Sequence, residues 1–230
     1  GRDFVQASAR DRQAPHAVVV GLDCMTGLQT ARIMARRGIP VIGIAKNPRH
    51  PCCRTNVCEQ ILFAETADHE LIGVLKTLGP ALEQKAVLVP CTDMSVLLIS
   101  RHRRELEAQY YVVLPQPEVV EMLMDKARFY TYAKANGFAL PATFFLHSRA
   151  DAERAAKELT FPCILKPPFK TPNWEKHTKA KVYRPSDPQE FLAFYDRCSQ
   201  WAEVLMAQEW IQGSDANLYS CNCYFDADSR

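Results

Sequence analysis

The chain has 230 residues, enough to bury one large core or two smaller ones, and its 47% apolar share is ordinary for a water-soluble fold. Its 28 basic and 26 acidic residues nearly cancel to a formal charge of +2, so composition implies neither a nucleic-acid groove nor an acidic interaction tail. No apolar run approaches a membrane span and no signal peptide opens the chain. Its nine cysteines, an odd number without a regular framework, predict reduced thiols and a cytoplasmic setting.

Residues 1–14 are polar with little periodicity and predict a flexible arm. From Ala17 the pattern becomes regular. Val18–Val20 predicts a buried strand, Gly21–Gly27 a turn, and Leu28, Ala31, Met34 and Ala35 one face of a helix stopped by Gly38 and Pro40. Val41–Ala45 is a second buried strand, giving a β-α-β unit and therefore a parallel sheet. Ile61–Phe63, Val87–Val89 and Val112–Leu114 predict three more strands, with helices carried by Leu71–Leu78 and by Val96–Glu107. A Rossmann-like domain is thus expected over 15–115, bounded by Pro115 and Pro117.

The texture then changes to α+β. Glu118–Asn136 reads as a helix broken near Asp125. Thr143–Leu146 reads as a strand, Ala150–Leu159 as a helix, Pro167–Thr178 as irregular and Lys179–Tyr183 as a strand. A helix over Asp187–Trp201 and strands over Val204–Ile211 and Asn217–Phe225 complete the chain. Within this half, Phe161-Pro162-Cys163-Ile164-Leu165-Lys166-Pro167 is a short apolar run with one charged residue beside a proline. Such a strand can bury its apolar residues while aiming one ammonium, a point charge suited to phosphate, into a cleft.

Three stretches in this order and spacing, Asp125-Lys126-Ala127-Arg128-Phe129, the Lys166 strand, and Val204–Ile211, resemble the ATP-grasp superfamily. The likeness is to carbamoyl phosphate synthase large-subunit-like proteins and carboxylate–amine ligases, and it covers nearly the whole chain from Ala17. It implies a Rossmann-like pre-ATP-grasp domain followed by a partial ATP-grasp domain over 116–230, with a lid lobe at about 140–212 and a second lobe of which only the first strand is present. By the same resemblance Lys126 and Lys166 contact nucleotide phosphates, and Glu209, Trp210 and Ile211 form the hinge whose backbone reads adenine. Asp215 takes the ribose hydroxyls. The implied cofactor is ATP, with magnesium in a full-length parent, and the partners are small carboxylate and amine substrates.

Two departures from that pattern stand out. Pro167–Trp174 contains no glycine where the family's lid loop uses backbone amides to cradle phosphate, though Lys170 or Thr171 could substitute. The family's carboxylate ligands for magnesium lie on later strands than Arg230. The chain is therefore expected to be the N-terminal part of a ligase and to lack turnover by itself, with no catalytic or metal-ligating residue of its own. The alternative is a non-catalytic nucleotide- or small-molecule-binding module.

Other motifs carry less. Gly21-Leu22-Asp23-Cys24-Met25-Thr26-Gly27 breaks the dinucleotide fingerprint, which disfavours a nicotinamide enzyme. Cys52, Cys53 and Cys58 with His50 fit no zinc spacing. Thr92-Asp93 reads as a helix cap more readily than as a ligand site, and Cys221 and Cys223 as packing residues.

Overall fold

The computed structural model describes residues 14–168, 171–221 and 223, so the predicted arm lies outside it apart from Ala14. The chain divides into two units, residues 1–125 and 126–230. In the first, β1 (Ala17–Val20), β2 (Val41–Ala45), β3 (Gln60–Phe63), β4 (Ala86–Pro90) and β5 (Tyr110–Val112) make an all-parallel sheet in the order β3-β2-β1-β4-β5. Helices α1 (Met25–Arg36), α2 (His69–Leu78), α3 (Asp93–Arg101) and α4 (Arg103–Leu106) provide its cover. The period-2 alternation of strands explains how. Val18, Val20, Ile42 and Ile44 pack with Leu71, Leu75 and Leu98 on one face, while Val19, Val41 and Ala45 pack with Ala31 of α1 on the other.

The expected Rossmann-like arrangement is therefore present, with differences at its edges. The last strand begins at Tyr110, two residues before the predicted Val112, because the buried Tyr110 ring fills the core and its hydroxyl donates to the Leu75 carbonyl at 2.7 Å. Val113, placed in the strand by its apolar character, is exposed. Helix α5 (Pro117–Met124) stays with the first unit: Val120 is buried and Glu121 accepts from Arg101 of α3 at 2.6 and 3.0 Å. The first unit consequently extends beyond Pro115, through Asp125.

The second unit runs α6 (Lys126–Ala135), β6 (Thr143–Leu146), α7 (Arg149–Glu158), β7 (Cys163–Lys166), α8 (Pro172–His177), α9 (Pro188–Cys198) and β8 (Leu205–Glu209). Its sheet is antiparallel in the order β6-β8-β7, so the strand last in sequence is central. Leu146, Leu165, Leu205 and Ala207 join Ala152 and Ala155 of α7 and Phe191 and Tyr195 of α9 in one core.

Here the sequence-based expectations need four corrections. The Pro167–Thr178 stretch is not wholly irregular, since it contains α8. Thr171 caps that helix by accepting from the Trp174 N–H at 3.2 Å, and Trp174 sits in the core, 1% exposed. Lys179–Tyr183 forms no strand: its alternating lysines leave one rung, Tyr183 with Leu165. Strand β8 ends at Glu209, with Trp210 and Ile211 past the ladder. Asn217 belongs to a 3-10 turn and Leu218–Cys221 is not strand; Asn222 and residues 224–230 lie outside the described residues.

Candidate functional site

The face of the second sheet turned away from α7 and α9 carries the site. Register determines its side chains, because directly paired residues project to the same side. Leu165 and Ala207 point into the core, so their neighbours point the other way. One row across this face is Thr143–Gln208–Ile164, and the next is Phe145–Met206–Lys166. Gln208, which the sequence placed within the Val204–Ile211 strand without a side-chain role, is buried at 7% exposure and hydrogen-bonded through its side chain. Its amide Nε2 donates to Tyr130 Oη of α6 at 2.6 Å and to Thr143 Oγ1 at 2.8 Å. The signal available in the sequence was a polar residue directly after the apolar run Leu205–Ala207, which folding tolerates in a buried place only when it is bonded. A cavity of about 390 Å³ adjoins this network, lined by Tyr130, Lys134, Phe138, Thr143 and Phe145 among others.

Lys166 emerges at the end of β7, beside Pro167. Burial depresses the pKa of its ammonium below the lysine value of 10.5, and the nearby Lys126 ammonium depresses it further. The two lysines that the sequence singled out thus influence each other electrostatically, although 39 positions of chain lie between them. Lys126 is the first residue of the ten-residue helix α6 and exposed. A cation there adds to the positive end of the helix dipole rather than offsetting it. An anion bound near that helix N-terminus would favour the charged form of Lys166.

The remaining candidates lie at the other end of the ladder. Lys166 pairs with Met206, whereas Glu209 pairs with Cys163, three residues further along β8, a separation of roughly 10 Å. The Glu209 N–H donates to the Ala142 carbonyl at 2.9 Å and its carboxylate accepts from the Ala142 N–H at 3.3 Å, so this residue closes the sheet. Trp210 is exposed, with the Arg184 guanidinium over its ring 4.3 Å from the centroid, and Ile211 is exposed too. Arg184 was not anticipated. Asp215 opens the 3-10 turn, and its side chain lies outside the described residues, as does Lys170.

In the first unit the strand order reverses between β1 and β4, where open parallel sheets place ligands. The polar groups there are committed to loop geometry. Asp23 accepts the backbone N–H groups of Lys46 and Asn47 at 3.0 and 2.8 Å, and Thr92 and Ser95 form a capping box on α3. Cys52 is buried, Cys53 Sγ donates to the Asn47 carbonyl at 3.4 Å, and burial raises the Cys53 and Cys58 thiols above their ordinary values. Cys221 and Cys223 are exposed, which corrects their reading as packing residues. Among the described residues no group of three or more His, Cys, Asp or Glu side chains is arranged to hold a metal ion, and no helix is long and apolar enough to cross a membrane.

No family model matches the chain. It is 22% identical over 154 residues to a D-aspartate ligase of Enterococcus faecium, a match covering 64% of this chain and 37% of the ligase. Among solved structures it superimposes on an ADP complex of N5-carboxyaminoimidazole ribonucleotide synthetase with a TM-score of 0.64 at 13% identity, covering 86% of this chain and 48% of that one. An L-amino acid ligase from Bacillus licheniformis gives 0.62 at 13% identity, covering 86% and 45%. The chain therefore spans well under two thirds of the relatives it matches. The superpositions give the chain the fold of these proteins, seen here as a five-stranded parallel sheet followed by a three-stranded antiparallel one.

Proposed function

We propose that this chain is the nucleotide-holding part of an ATP-dependent ligase that activates a carboxylate as an acyl phosphate for attack by an amine. What supports the reading is that Lys166, at one end of the β7–β8 ladder, feels the ammonium of Lys126, the first residue of α6, while Glu209, which begins the proposed hinge, lies at the other end. The separation of roughly 10 Å suits a nucleotide laid along the strands, phosphates on the lysines and base at the hinge. Because the Glu209 N–H is already used by the sheet, the backbone groups proposed to read adenine are those of Trp210 and Ile211, with Asp215 at the ribose. The ligase names of the relatives support amino-acid-like carboxylate and amine substrates for the whole protein. Magnesium, which the family uses, finds no ready-made ligand cluster among the described residues.

One observation favours a second reading, a binding module without chemistry. Where a glycine-rich loop would wrap the phosphates, this chain has prolines at 167 and 168 and a helix anchored by buried Trp174. Both readings require nucleotide binding, and they part over phosphoryl transfer.

Calorimetric titration of the chain with ATP, inorganic triphosphate and adenosine tests the shared core of these readings. ATP is expected to bind more tightly than triphosphate, and Lys166→Ala to weaken both by about tenfold or more, the worth of a charge-assisted contact. Lys166→Arg should recover only part, since a planar guanidinium does not replace a compact ammonium between neighbouring prolines. Equal affinity for ATP and triphosphate would sink the hinge assignment, and an unchanged affinity in Lys166→Ala would sink the lysine site.

A further inference from the structure

We infer that Tyr130 and Gln208 are a positioning pair that holds Lys126 over the phosphate end of the sheet; this rests on the nucleotide reading above. The geometry begins with helix periodicity. Lys126 and Tyr130 are four apart, so they lie on one stripe of α6. Whatever fixes the Tyr130 ring therefore fixes the rotation of α6 about its axis, and with it the direction in which the first residue projects.

The ring is fixed from two sides. Its hydroxyl accepts from Gln208 Nε2 at 2.6 Å, and its edge meets Phe145 with ring centroids 6.4 Å apart. Phe145 and Gln208 sit on adjacent strands and on the same face as Lys166, so both anchor points share one surface with that lysine. The orientation of the Gln208 amide is itself determined. Thr143 Oγ1 donates its single proton to the Pro141 carbonyl at 2.8 Å, so toward Gln208 it can only accept, and the amide nitrogen must face it. The second N–H of the same nitrogen then reaches Tyr130. A chain of donors thus runs from the central strand to α6 with no freedom to flip.

Buried polar side chains cost stability unless fully bonded, so an apolar residue at 208 would have packed this face more simply. What the amide adds is a directional link between sheet and helix. Its functional consequence is that the rotation of α6, and with it the direction in which Lys126 leaves the helix, is set from the sheet. Tyr130 and Gln208 touch no phosphate in this account; they act through Lys126.

The test compares Tyr130→Phe, Lys126→Ala and the double variant in the same chain, titrated with inorganic triphosphate and with adenosine. Tyr130→Phe keeps the ring and its contact with Phe145, so fold is retained, and a thermal melt of each variant checks this. The expected result is an about threefold loss of triphosphate affinity in Tyr130→Phe, an about tenfold loss in Lys126→Ala, and no further loss in the double variant, because the tyrosine acts only through the lysine. Adenosine affinity should be unchanged throughout, a separation that a general loosening of the sheet would not produce. Additive losses in the double variant, parallel weakening of adenosine, or no effect of Tyr130→Phe would each overturn the inference while leaving the nucleotide reading in place. Failure of the unmodified chain to bind triphosphate would instead overturn that reading, and this inference with it.

Discussion

Lys166 shows how much of a site one residue can report. Its pKa is lowered by burial and by Lys126, so the folded chain disfavours the charged form that the unfolded chain carries up to the ordinary value of 10.5. Between the depressed value and 10.5 the unfolded state binds more protons, so this residue makes stability rise with pH across that window. An anion reverses the balance by favouring the ammonium. Triphosphate binding is therefore expected to take up protons on the alkaline side and to weaken as pH rises through the same window. Calorimetry in two buffers of different ionisation enthalpy measures that uptake, and Lys166→Ala should lower it. The place of this lysine at the end of a strand was legible in the sequence as the one charge in an apolar run. Its companions Tyr130 and Thr143 were not, because a hydrogen bond spanning 78 positions, such as that from Gln208 to Tyr130, leaves no local pattern.

At the level of elements, legibility followed burial. The strands β1, β2 and β4 are continuous apolar runs, which only a sheet covered on both faces requires, and they were read correctly. Helix α8 was missed because charged residues surround it, although Thr171-Pro172, a cap followed by proline in the first turn, is a helix start. Its anchor makes a strong expectation. Trp174 is buried against Tyr183 and Trp201 with its indole N–H on the Ala180 carbonyl, so Trp174→Ala should destabilise the second unit by about 3–5 kcal/mol in denaturant unfolding. Amides of Glu175 and Thr178, bonded to Thr171 and Trp174, should exchange slowly rather than as a mobile lid would. Helix α1 has a comparable point of no tolerance. A Cβ on Gly27 would lie 2.1 Å from the Gly21 carbonyl oxygen, so Gly27→Ala must push the helix off the end of β1, at an expected loss of about 1–3 kcal/mol.

Across the whole molecule, the change from a parallel α/β sheet to an α+β half was readable from periodicity, and the superpositions on distant ligases preserve the fold. The pairing order within the second sheet was not readable, since three short strands permit several arrangements of similar burial. That order has a consequence for how the protein is made. Strands β6 and β7 are not paired with each other; β7 has one rung with Tyr183, but the ladders of both strands run along β8, the last of the three to leave the ribosome. Until residue 209 emerges, a nascent chain carries two strands with open backbone groups and no template to satisfy them, a state prone to sticking to other chains. Translation products stopped at residue 202 should therefore be captured by chaperones or lost to aggregates, whereas those stopped at 213 should resist a protease pulse. Equal protection of the two lengths would mean that the sheet assembles without its central strand.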